Sequence, residues 1–154
     1  MKFYSTNHRV APVSLRQAVL EGFPADRGLY MPEHIEPLPD SFIQTLSGTS
    51  LSEIAAEVAP RLLGKSISQA ALTQIIEQAI TFDAPLTRIS EKIAILELFH
   101  GPTLAFKDFA AQFMAGLMGY FVAGQDKMLH ILVATSGDTG GAVAAGFYGT
   151  PGIH

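Results

Sequence analysis

The chain has 154 residues, a formal net charge of −4 and no cysteine. That length suits one globular domain, or a small domain with part of another, and the charge, with no run of Lys or Arg, excludes the electrostatic footprint of a nucleic-acid binder. The missing thiols exclude disulfide scaffolds, thiolate nucleophiles and Cys-ligated zinc together.

Hydrophobic residues make up 48% and charged ones 16%, against roughly 25% charged in average globular proteins, so part of this surface is expected to meet a partner. The opening MKFYSTNHRVAPVS lacks a continuous apolar core, and no stretch of about 18 apolar residues follows anywhere. A soluble, cytoplasmic protein without a membrane partner is expected.

Phe3 and Tyr4 suit a short strand, and Arg27-Gly28-Leu29-Tyr30-Met31-Pro32 is an apolar run bounded by Gly and Pro that suits an edge strand. Three serines stand three residues before a side chain able to reach back: Ser14 with Gln17, Ser50 with Glu53, and Ser66 with Gln69. Behind each, apolar residues recur at helical spacing, as in Ile54, Val58, Leu62 and Leu63, or Leu72, Ile75, Ile76, Ala79 and Ile80. Three amphipathic helices are predicted.

Turn material at Asp83-Ala84-Pro85-Leu86-Thr87 and sparse charge beyond it place a domain boundary here, giving domains 1–85 and 86–154. The second part alternates: a strand over Ile93–Phe99, a Gly101-Pro102 turn, a helix from about Leu104 to Val122, a strand over Leu129–Ala134, a glycine-rich turn, and a helix over Ala142–Phe147. That is the pattern of a parallel sheet with crossover helices.

The fold class is therefore α/β, with a small, mostly helical α+β domain followed by the start of an open parallel-sheet domain. Residues 150–154 fall where a third strand would begin, so the second domain is expected to be incomplete. An unpaired sheet edge beside a helix that is apolar nearly all round predicts self-association.

Lys107 is a lone cation among aromatics in His100-Gly101-Pro102-Thr103-Leu104-Ala105-Phe106-Lys107-Asp108-Phe109. An amine condenses with an aldehyde only when unprotonated, and desolvation with the positive end of a helix dipole favours that state. The commoner alternative from this local pattern is a lysine paired with Asp108 or reaching to water. Ala134-Thr135-Ser136-Gly137-Asp138-Thr139-Gly140-Gly141 joins an apolar strand to a small-residue helix, where free amides suit a carboxylate or phosphate. An ordinary capped turn with Ser136 or Asp138 as N-cap is equally compatible. The five histidines show no paired metal-ligand spacing, so no metal is expected. His100 is either a structural histidine or a proton-tuning group at the strand end.

Taken together, ELFHGPTLAFKDF (Glu97–Phe109) and ATSGDTGGAVA (Ala134–Ala144) resemble, in order and separation, two blocks of the threonine synthase family. MKFYST, the segment Ser14–Glu21 and Asp26–Pro32 resemble that family's small N-terminal domain. The resemblance implies a fold-type-II pyridoxal 5'-phosphate enzyme, a lyase that makes L-threonine and phosphate from O-phospho-L-homoserine and water. It implies that Lys107 binds the cofactor and is the catalytic base, and that Ser136, Gly137, Thr139 and Gly140 hold the substrate carboxylate. It further implies that Asp138 lies near the cofactor, at a position where many relatives have asparagine. The loops that grip the two phosphates are expected beyond His154, so this chain alone is expected to be inactive. The rival expectation is a non-catalytic binding or assembly module.

Overall fold

Alternation puts Phe3 and Ser5 on one face of a strand, and both are buried in β1 (Phe3–Ser5). This strand pairs antiparallel with β2 (Tyr30–Pro32), Tyr4 lying opposite Met31. The computed structural model describes all 154 residues, in two compact units, Met1–Gln74 and Ile75–His154.

In the first unit a buried hydroxyl needs a partner, and Ser5 finds one: its Oγ donates to Asp26 Oδ1 at 2.6 Å. The same carboxylate accepts from the amides of Gly28 (3.1 Å) and Arg9 (3.0 Å). A side chain at Gly28 would overlap Ser5 Oγ, so only glycine lets the two segments close.

Helix α1 (Leu15–Glu21) starts where Ser14 Oγ accepts from Gln17 N, and it buries Leu15 and Ala18, one turn apart. Helix α3 (Leu51–Leu63) carries a full capping box between Ser50 and Glu53. Between them lies α2 (Asp40–Thr45), which buries no residue and so leaves no apolar rhythm to read in the sequence.

Helix α4 (Gln69–Ala79) is set by Ser68 rather than Ser66. Ser68 Oγ accepts from Ala71 N, and its carbonyl accepts from Leu72 N. Ser66 closes a single tight turn, after which the buried Ile67 is extended and delays the helix by two residues.

The second unit begins within α4, at Ile75. Ile75, Ile76 and Ala79 are buried, and a side chain on Gly116 would come within 2.8 Å of Ile75 Cγ2. The turn material at residues 83–87 follows this division because the end of α4 packs with what comes later in the chain.

Strands β3 (Leu86–Arg88) and β4 (Ala94–Leu96) form an antiparallel hairpin, Thr87 opposite Ile95. The strand expected over Ile93–Phe99 is thus three residues long and paired locally, since a short connection can return the chain only antiparallel. Parallel pairing occurs elsewhere, between Leu129 and Ile153, with Leu129 N donating to Gly152 O and His154 N to Leu129 O. No ladder extends to Ala134, and Leu132 is 94% exposed.

Helices α5 (Lys107–Val122) and α6 (Asp138–Phe147) pack through small residues. Ala111, Ala115 and Ala142 are buried, and a Cβ on Gly146 would lie 2.9 Å from the Ala111 carbonyl carbon. Helix α5 starts three residues later than expected and α6 four earlier. No helix is long and apolar enough to cross a membrane.

Candidate functional site

Lys107 is the first residue of α5, where the unpaired amides and helix dipole carry positive potential. The chain reaches it through a run of turns from Gly101, with Leu104 held at φ 60, a conformation disfavoured for a branched side chain. Lys107 is half-buried, and its Nζ lies 4.3 Å from the centroid of the Phe106 ring. The flanking Phe106 and Leu104 turn outward, 59% and 73% exposed. The amine makes no ion pair.

Asp108, the obvious carboxyl partner for Lys107, is committed elsewhere. It is 0% exposed and accepts from Thr103 N at 2.9 Å and from Thr103 Oγ1 at 2.6 Å. A side chain on Gly101 would overlap the Asp108 carboxyl, so Gly101, Thr103 and Asp108 form one closed turn.

The second predicted element opens α6. Gly137 is the N-cap, at φ 146 and ψ −72, a backbone open to glycine and strained for other residues. Neither Ser136 nor Asp138 caps the helix. Thr135, which carries no helix-start spacing of its own, does so instead: its Oγ1 accepts from Gly137 N at 2.9 Å and from Gly140 N at 3.0 Å. These two amides are already satisfied, whereas no protein acceptor takes those of Asp138 and Thr139. Ser136, Asp138 and Thr139 are exposed, and the Asp138 carboxylate sits in the first turn of α6.

The structure brings these two elements to neighbouring positions through Thr103. A Cβ on Gly141 would lie 3.8 Å from Thr103 Cβ and 3.9 Å from Thr103 Cγ2, so the turn before Lys107 borders the first turn of α6. His100 is not part of this contact. Its Nε2 lies 2.7 Å from Glu97 Oε2, while Thr87 Oγ1 donates to Glu97 Oε1 at 2.8 Å. The Thr87 hydroxyl, then His100, hold the Glu97 carboxyl below its ordinary range. No cluster of three His, Cys, Asp or Glu residues able to hold a metal occurs.

Residues 2–80 match the family model described as the threonine synthase N terminus. The chain belongs to the threonine synthase family. Threonine synthase of Haemophilus influenzae is 44% identical over all 154 residues, and that of Escherichia coli 39% identical over 153. A crystal structure of the Escherichia coli threonine synthase superposes on 99% of the chain with a TM-score of 0.89 at 37% identity. The structure of a threonine synthase from Brucella melitensis with PLP bound superposes on 99% of it with a TM-score of 0.91 at 35% identity. The chain spans about 35% of the length of these curated relatives. The helices and small sheets of this chain are thus those of the N-terminal region of the threonine synthases, and an α/β class fits them.

Proposed function

We propose that this chain carries the lysine-bearing part of a threonine synthase site, which in the complete enzyme acts as a carbon–oxygen lyase on O-phospho-L-homoserine, with water, to give L-threonine and phosphate. The observation that carries this reading is the juxtaposition just described. A lysine without an ion pair opens one helix, and the turn before it borders a second helix whose first turn has two amides free.

These residues fit the reactive end of pyridoxal 5'-phosphate. A half-buried primary amine at a helix start suits an aldehyde, and nearby amides suit an amino-acid carboxylate. When bound, the cofactor supplies an electron sink for carbanions. Lys107 would attach the cofactor and then hold and move protons at the α and β carbons of the substrate. The amides of Asp138 and Thr139, with the hydroxyls of Ser136 and Thr139, would orient the substrate carboxylate. The amides of Gly137 and Gly140 shape the loop through Thr135 and would not themselves bind. Asp138 would lie on the cofactor side. Spanning about 35% of the length of its relatives, the chain by itself would turn over no substrate, since a single covalent link does not fix orientation.

The test is direct. The chain is incubated with pyridoxal 5'-phosphate, reduced with borohydride and mapped by peptide mass. One adduct at Lys107, lost in Lys107→Ala, is expected. Equal labelling of Lys2, Lys65, Lys92 and Lys127 would remove the assignment, and no adduct at Lys107, alone or with the rest of the enzyme, would favour a binding or assembly module.

A second reading concerns self-association. Leu86, Ile93, Ile95, Leu96 and Leu132 are all exposed on the second unit, the first four on or next to a hairpin whose outer edges are unpaired. Such surface favours contact between copies, and a concentration-independent monomer in sedimentation would count against it.

A further inference from the structure

A fully buried carboxyl next to the proposed cofactor lysine, turned away from it, calls for an explanation that the reaction chemistry does not supply. Asp108 follows Lys107 directly, yet both of its oxygens face back to Thr103, one taking the amide and the other the hydroxyl. Burying an ionisable group costs free energy unless its polar atoms are matched, and no buried side-chain polar atom in this chain lacks a partner. The two bonds hold a turn that is otherwise unfavourable, with Leu104 in the left-handed region. Such backbone persists only where its surroundings fix it. Thr103 faces two ways. Its amide and hydroxyl meet Asp108, and its Cβ and Cγ2 lie beside Gly141, one residue after the Gly140 amide held by Thr135.

We propose that Asp108 is a positioning residue that, through Thr103, locks the turn before Lys107 against the first turn of α6 and so sets where the lysine amine stands relative to the carboxylate-binding amides. The functional part of this inference rests on the Lys107 assignment above. The mechanical part, a link from Asp108 to the loop at residues 136–141, stands on the hydrogen bonds and packing of Thr103 alone.

Amide hydrogen exchange on the cofactor-free chain tests the link, because Gly137, Gly140 and Gly141 all donate hydrogen bonds whose opening can be read. In Thr103→Val the shape against Gly141 is kept and the hydroxyl is lost. In Asp108→Ala both acceptors go. Each is expected to speed exchange of the Thr103, Gly137 and Gly140 amides by about tenfold, the scale of one lost buried hydrogen bond. Asp108→Asn is the rescue: its carbonyl can accept from Thr103 N while its amide donates to Thr103 Oγ1, so exchange should stay near the parent rate. Should Asp108→Ala fail to fold, Thr103→Val and Asp108→Asn still decide the matter. Faster exchange confined to residues 101–108, or a uniform rise throughout Ile75–His154, would overturn the proposal, since either is what a purely local or purely structural role predicts. Borohydride-trapped cofactor, measured on the same variants, separates the two claims. Labelling that stays on Lys107 but falls severalfold in Thr103→Val and recovers in Asp108→Asn supports positioning. Absence of Lys107 labelling in the parent chain with the exchange link intact would sink the lysine assignment and leave the link standing.

Discussion

The two units solve the same problem, closing irregular backbone, by different means. Residues 1–74 are stitched by polar side chains: Asp26 gathers Ser5, Arg9 and Gly28, Tyr30 donates to Glu21, and Glu53 closes a capping box. Residues 75–154 rely on close approach of small residues in α5 and α6, and commit their buried carboxyl to the turn before Lys107. Carboxylate networks make a unit sensitive to protons, whereas backbone contact makes a unit sensitive to volume.

The sharpest way to break this contrast is Gly146→Val. The new side chain would meet the Ala111 carbonyl and the Gln112 amide at 2.9 to 3.1 Å, and because backbone cannot swing aside, a loss of about 3 kcal/mol is expected, the upper end for overpacking. Amide protection should collapse in α5 and α6 and persist in α1 and α3. Equal loss in both units would erase the distinction.

Acidification should act in the opposite sense. Three carboxyls of the first unit are held below their ordinary range: Glu21 mainly by the Tyr30 hydroxyl, Asp26 mainly by the Ser5 hydroxyl, and Glu53 mainly by Ser50. In the second unit Glu97 is the one carboxyl so lowered. A carboxyl lowered in the folded state stabilises above its unfolded value, about 4, and that stability is lost as pH falls through the folded value. Exchange followed from pH 6 downward should therefore show the first unit loosening more steeply, and Asp26→Asn should flatten its slope. At the alkaline end, Tyr30 is pushed up to about 12 by its bond to Glu21, so its phenol should remain un-ionised where ordinary tyrosines titrate.

The smallest expected effect on stability is Leu132→Ser. The side chain is 94% exposed, so a change within about 0.5 kcal/mol is expected. Sedimentation is the informative measurement here: the variant should associate less at a given concentration, and unchanged association would show that copies meet elsewhere.

Much of this was legible before any coordinates. Ser14 and Ser50 carry the capping spacing outright, and the Gly-and-Pro-bounded run contains β2. Ser68 was missed because Ser66 offers the same three-residue spacing, and only the burial of Ile67 decides between them. The short α2 has no buried face to leave a pattern. At the site, the roles of Thr135 and Thr103 leave no periodic mark: one hydroxyl accepts from amides two and five residues on, and the other donates to a carboxylate five residues on. A sharper signal was available: Thr-Ser-Gly ahead of a helix start is a hydroxyl–amide turn, and an Asp in the first turn commonly reaches back over the preceding chain, as the reciprocal arm of a capping box does.

The bridge between Leu129 and Ile153 makes a loop of chain with α6 inside it. Three backbone hydrogen bonds, from Leu129 to Gly152, Ile131 to His154 and His154 to Leu129, tie the strand that leads into the helix to the segment that leaves it. The helix is thereby held like a bow by its string. Opening that string would free both ends of the segment at once, so the glycine turn before the helix and the turn after it share one tether.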